Sequence, residues 1–171
     1  MIKQLNFLSD ASDATTAKPS SEWKLYIDGA SKNNPGPSGA GFCLFKEDVL
    51  VVQHGFYLGA MTNNQAEYYA LLIGLFYALQ HLQQEDFLYI ISDSQLLVRQ
   101  LQGEYKTTNS MLKQFQLVVR DLLSKLDHYQ FLHVLRHLNT HADAMANVGV
   151  EKKIALPQEF ITFLRTYGIT T

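Results

Sequence analysis

Apolar and polar positions start to alternate at Glu22. EWKLYID places Trp23, Leu25 and Ile27 on one face, the period of a half-buried strand. SGAGFCLFKED and VLVVQHGFYLG read as two further strands, with Lys46-Glu47-Asp48 as the turn between them. TNNQAEYYALLIGLFYALQHLQQ then changes to helical spacing. Thr62 and Gln65 fit a capping box, so the helix should begin near Asn63. It is apolar almost all round, which predicts burial on more than one side. FLYIIS is a short, wholly apolar strand of the kind covered on both faces. SQLLVRQL is a short helix closed by Gly103, and Ser110 to Leu126 is a longer amphipathic one. YQFLHVLR is a fifth strand, THADAMANVGVEKK a helix from about Thr140, and PQEFITFLRTYG a closing helix with Pro157 at its start. Three antiparallel strands followed by strands alternating with helices predict an α/β fold, a mixed five-stranded sheet flanked by helices.

Ahead of this pattern, SDASDATTAKPSS is small, polar and aperiodic. Residues 1–21 read as a flexible leader and 22–171 as one folded domain, in keeping with a length of 171 residues. The N-terminus is a poor signal peptide, and the longest apolar run, Tyr68 to Leu79, is short of the about 20 residues that span a bilayer. The single cysteine, Cys43, excludes an internal disulfide and a multi-cysteine zinc site. The expectation is a cytoplasmic protein off the membrane, with nothing demanding more than a monomer.

Four acids stand where elements meet loops. Asp28 ends the first strand, Glu67 lies in the first turns of the long helix, Asp93 ends the fourth strand and Asp143 opens the helix after the fifth. Each has an ordinary explanation: a turn former, a dipole partner or a cap. Together, Asp28 and Asp93 can sit side by side on one sheet edge. Converging carboxylates repel unless a cation sits among them, and oxygen-only ligands favour Mg²⁺ or Mn²⁺. The chain's 14 basic and 16 acidic residues, net −2, argue against a dedicated nucleic-acid binder. Setting four metal-bound acids aside leaves 14 basic residues against 12 acidic, a balance of +2.

DGASKNNPGPSGAG, TNNQAEYYAL, ISDSQLLVRQL and VLRHLNTHADAMAN occur in this order. The set resembles ribonuclease H of type I, in a bacterial and archaeal-like branch, from Trp23 to about Val150. The resemblance implies a ribonuclease H-like catalytic domain that cuts the RNA strand of RNA–DNA hybrids internally, leaving 3′-hydroxyl and 5′-phosphate ends. Asp28, Glu67, Asp93 and Asp143 match the family's catalytic acids and would hold two Mg²⁺, with Mn²⁺ as the alternative. Asn34, Asn63, Asn64 and Gln65, with Thr62 beside them, match positions that reach the minor groove, where a 2′-hydroxyl distinguishes RNA from DNA. Arg136 and Asn139 belong to the R-x-x-N-x-x-A-D pattern and would shape the loop or touch substrate. His137 and His141, both near Asp143, are candidates for proton transfer or product release, against the plainer reading of solvated surface histidines.

One departure stands out. The family's basic helix-loop handle is missing between Gly103 and Leu126, where Lys106, Lys113, Arg120 and Lys125 are scattered. Hybrid binding is therefore expected to be weak and salt-sensitive. Two other readings stay open: a non-catalytic hybrid-binding module on the same fold, and a related nuclease acting on duplex RNA or RNA–DNA junctions. The absence of an acid two residues after Asp28, and of one three residues before Asp143, argues against exonucleases and resolvases of similar fold.

Overall fold

The computed structural model describes residues 19–170. The expectation of a leader over 1–21 falls mostly on residues 1–18, outside the described residues. Ser21 already belongs to the domain's edge, its carbonyl accepting a hydrogen bond from the Phe87 N–H.

In chain order the elements are β1 (Glu22–Ser31), β2 (Gly36–Lys46), β3 (Val49–Met61), α1 (Asn63–Ala78), β4 (Phe87–Ser92), α2 (Gln95–Leu101), α3 (Ser110–Leu123), β5 (His128–His133), α4 (Thr140–Lys152) and α5 (Gln158–Thr166). The sheet order is β3-β2-β1-β4-β5. β1, β2 and β3 are antiparallel, while β4 lies parallel to both β1 and β5. This is the mixed sheet that the pattern predicts. The β2–β3 turn is tighter than expected, with Glu47 and Asp48 at φ 46° and 68° and Lys46 still in the strand.

Side chains alternate across a strand, so the two faces of β1 carry different loads. Leu25 and Ile27 point at α1, where Gly74 lets them approach, and a Cβ at Gly29 would come 2.2 Å from the Glu67 nitrogen. Asp28 points the other way. Its cross-strand partner Gly41 abuts α4, where a Cβ would lie 2.2 Å from the Ala146 nitrogen. Gly55 on β3 meets Met145 in the same way.

Several boundaries differ from the sequence reading. β1 does not stop at Asp28 but runs to Ser31, and Gly36, Gly39 and Gly41 lie inside β2. Most of these glycines therefore serve close packing: α4 rests on the backbone of β2 and β3, and α1 on that of β1. β5 ends at His133 rather than Arg136, and Arg136–Leu138 form a short 3₁₀ turn.

The main core lies between the sheet and the helices on the α1 face. Leu25, Ile27, Phe42 and Leu44 meet α1, and α1 in turn packs on α3 through Tyr69 against Phe115, centroids 5.1 Å apart. α1 is thus buried on two sides, as its all-round apolar pattern demands. Thr62 caps α1, with the reciprocal bond from Gln65 completing the box.

Candidate active site

The register of β1 and β4 begins the site. Tyr26 pairs with Ile91 in parallel, so Asp28 and Asp93, each two residues further on, stand beside one another. α1 brings Glu67 against β1 at Gly29, whose N–H donates to the Glu67 carboxylate. α4 brings Asp143 in its first turn. The acids thus come from four elements and two sheet faces.

Burial dominates the cluster, with mutual repulsion second. Burial, then neighbouring Asp93 and Asp143, push the Asp28 carboxyl up to about 7, partly offset by Arg136. Glu67 is raised well above the usual carboxylate range by burial, then by Asp28 and Asp93. One of its oxygens, Oε2, is buried with no hydrogen-bond partner. Asp143 sits at the rim, held by Arg136 (Nη2 to Oδ1, 2.8 Å) and by Asn147 (Nδ2 to Oδ2, 3.2 Å).

An orphaned carboxylate oxygen and a carboxyl that resists ionising are what an all-oxygen site shows without its cation. The donor set fits a hard divalent ion. Among the described residues, no three His, Cys, Asp or Glu side chains yet converge tightly enough to cage an ion. Asp143 is turned toward Arg136.

A groove of about 740 Å³ opens over the cluster. Asp28, Glu67 and Asp93 line it together with Asn34, Thr62, Asn63, Asn64 and Arg136. Asn34 lies on the β1–β2 turn and accepts the Asn63 N–H (2.9 Å), tying that turn to the start of α1. Asp143 and His137 lie in an adjoining hollow that shares Arg136 with the groove.

Three sequence candidates stand apart from the groove. Gln65 spends its Oε1 on the α1 cap and points its Nε2 at Met111. Asn139 is 1% exposed and lies beneath the acids. His141 faces the Phe45 ring, centroids 6.3 Å apart, away from the groove. Thr140 is the first helical residue, no side chain caps α4, and Asp143 is occupied by Arg136 and Asn147. Asn147, like Lys32 and Ser94 in the groove lining, is a participant the sequence reading missed, and its place one helical turn after Asp143 was the available signal.

Fold and site together define an α/β domain with an acid cluster at the end of the central parallel strand pair. The family described as "Reverse transcriptase-like" matches residues 26–149. The chain is 39% identical over 127 residues to "Ribonuclease HI" of Halobacterium salinarum, covering 74% of this chain and 63% of that protein. It is 32% identical over 143 residues to "Ribonuclease H" of Legionella pneumophila, covering 75% of this chain and 96% of that one. Among solved structures, LC11-RNase H1 in complex with RNA/DNA hybrid superposes with a TM-score of 0.72 at 30% identity, covering 76% and 97% of the two chains. The chain belongs to the ribonuclease H family. Divalent-metal dependence is general in that family. The chain spans less than two thirds of the Halobacterium relative's length.

Proposed function

We propose that this protein is an endonuclease that hydrolyses the RNA strand of RNA–DNA hybrids. The observation that carries the reading is the gathering of Asp28, Glu67 and Asp93 in one groove that Asn34, Thr62, Asn63 and Asn64 also line. The hybrid bound to LC11-RNase H1 supports the choice of substrate.

Asp28, Glu67, Asp93 and Asp143 would hold two Mg²⁺, or Mn²⁺ in their place. Bound there, the ions would supply an activated water and charge stabilisation at the scissile phosphate. The chain's own part is positional. Asn34, Asn63 and Asn64 present amide donors and acceptors suited to 2′-hydroxyls. Arg136, the one cation shared by groove and adjoining hollow, is placed to meet a phosphate once it releases Asp143. His137 lines that hollow and is the histidine suited to proton transfer or product release. No helix among the described residues is long and apolar enough to cross a membrane. With a single cysteine, the reading carries a monomeric cytoplasmic enzyme with it.

A substrate panel tests the proposal. Uniform RNA–DNA hybrid, duplex RNA, duplex DNA and a chimeric junction, each end-labelled, are incubated with the protein and Mg²⁺. Internal cuts confined to the hybrid's RNA strand, with 3′-hydroxyl and 5′-phosphate ends, are expected. Equal cutting of duplex RNA or of the junction would replace the proposed substrate, and hybrid binding without cutting would leave a binding module.

A further inference from the structure

Asn139 does not line the groove, yet it touches more of the acid cluster than any other neutral residue. Its side-chain Nδ2 donates to the Ile27 carbonyl (2.9 Å) and to Asp93 Oδ1 (2.7 Å). Its own carbonyl accepts the Asp143 N–H (3.1 Å). The buried side-chain amide therefore joins the backbone beside Asp28 to the carboxylate of Asp93, while the residue's backbone carbonyl holds the start of the helix that carries Asp143.

The orientation of that amide is dictated by its partners. Both are oxygen acceptors, so only the NH₂ end can face them. The Asn139 Oδ1 is left buried without a partner, an unfavourable position that the two donated bonds offset. Asp93, which lines the groove, is thereby tied at Oδ1.

We propose that Asn139 is a positioning residue: it aims the Asp93 carboxylate at the divalent cation while touching neither cation nor substrate. The inference rests on the reading of the four acids as metal ligands. Asn139→Asp is the sharp test, because it keeps the shape and removes both donors. The carboxylate it introduces would face the Ile27 carbonyl and Asp93 with no hydrogen to share. Asn139→Ala removes the same donors without adding a buried charge, and so separates their loss from the cost of a new carboxylate.

The experiment compares the full-length protein with Asn139→Asp and Asn139→Ala by Mg²⁺ calorimetry without nucleic acid, and by steady-state cleavage of hybrid. Magnesium affinity and kcat should each fall about 10–100-fold, the usual cost of losing a residue that orients a ligand. KM for hybrid should stay within about twofold, because Asn139 makes no substrate contact. Unchanged magnesium binding in a folded Asn139→Asp protein would overturn the proposal, and so would a rise in KM alone. If either variant folds poorly, Asn139→Ser in wild-type and Asp93→Asn backgrounds gives a double-mutant cycle. Losses in magnesium affinity that add independently would contradict action through Asp93, whereas loss of the Asn139 effect in Asp93→Asn would support it. Weakened magnesium binding in a protein whose parent cuts no hybrid would sink the proposed substrate and leave the positioning role standing.

Discussion

Asp28 stores the tension of the site. Its carboxyl is held near 7 in the fold against 3.8 outside it, because burial and the nearby acids disfavour its charge. A raised folded-state value means that the folded chain keeps its proton longer than the unfolded chain. The contribution of Asp28 to stability is then full below 3.8 and is lost as pH climbs through about 7. Asp28→Asn should therefore stabilise the metal-free protein near neutral pH by about 1–3 kcal/mol, raising Tm by about 3–9 °C. The gain should vanish near pH 4, and thermal melts in chelator at the two pH values check it. The acids themselves were legible in the sequence, since each stands at a motif boundary. The role of Asn139 was not: an asparagine in a loop pattern reads as exposed, and only packing shows that it is sealed beneath Asp93.

At the scale of elements, the site depends on how closely two helices approach the sheet. α4 carries Asp143 and rests on the bare backbone of Gly41 and Gly55. A methyl at Gly41 would fall 2.2 Å from the Ala146 nitrogen and 2.4 Å from the Ala142 carbonyl oxygen, both backbone atoms that cannot turn aside. Gly41→Ala should therefore destabilise the fold by about 1–3 kcal/mol and push the Asp143 end of α4 outward. Denaturant melts measure the first effect, and a fall in kcat larger than the loss of folded protein measures the second. The opposite face gives a milder case. Thr62→Ala removes the capping box of α1 and should cost about 0.5–2 kcal/mol in the same melts. Element order and the α1 start could be read from period and caps. The run of glycines could not be, because a glycine that admits a helix and a glycine that makes a turn look alike until the partner element is in place.

For the whole molecule, the balance of charge sets how substrate is held. Only a loop joins α2 to α3, over residues 102–109, and the cations nearby are exposed. Lys113 and Arg120 share one hollow of about 470 Å³ on α3 with Tyr105. Replacing both by glutamate should weaken hybrid binding and flatten its dependence on log salt by about two units of slope if both meet phosphates. Fluorescence anisotropy across a salt series reads that slope directly. The mixed five-stranded sheet was legible because three antiparallel strands followed by strand–helix alternation leave few topologies. The gathering of Asp28, Glu67 and Asp93 in one groove was only implied, and it took the register of β1 with β4 to set Asp28 beside Asp93.

The central claim is that these carboxylates act through a divalent ion on a hybrid. The most direct measurement is cleavage of an RNA-labelled hybrid by wild-type protein and by Asp93→Asn, in Mg²⁺, in Mn²⁺ and in chelator. The account predicts internal cuts by the wild type with either metal, none in chelator, and a loss of about 10³-fold or more in Asp93→Asn, the scale on which removing a key electrostatic group slows an enzyme. Cutting that persists in chelator, or an Asp93→Asn protein as active as the wild type, would contradict it.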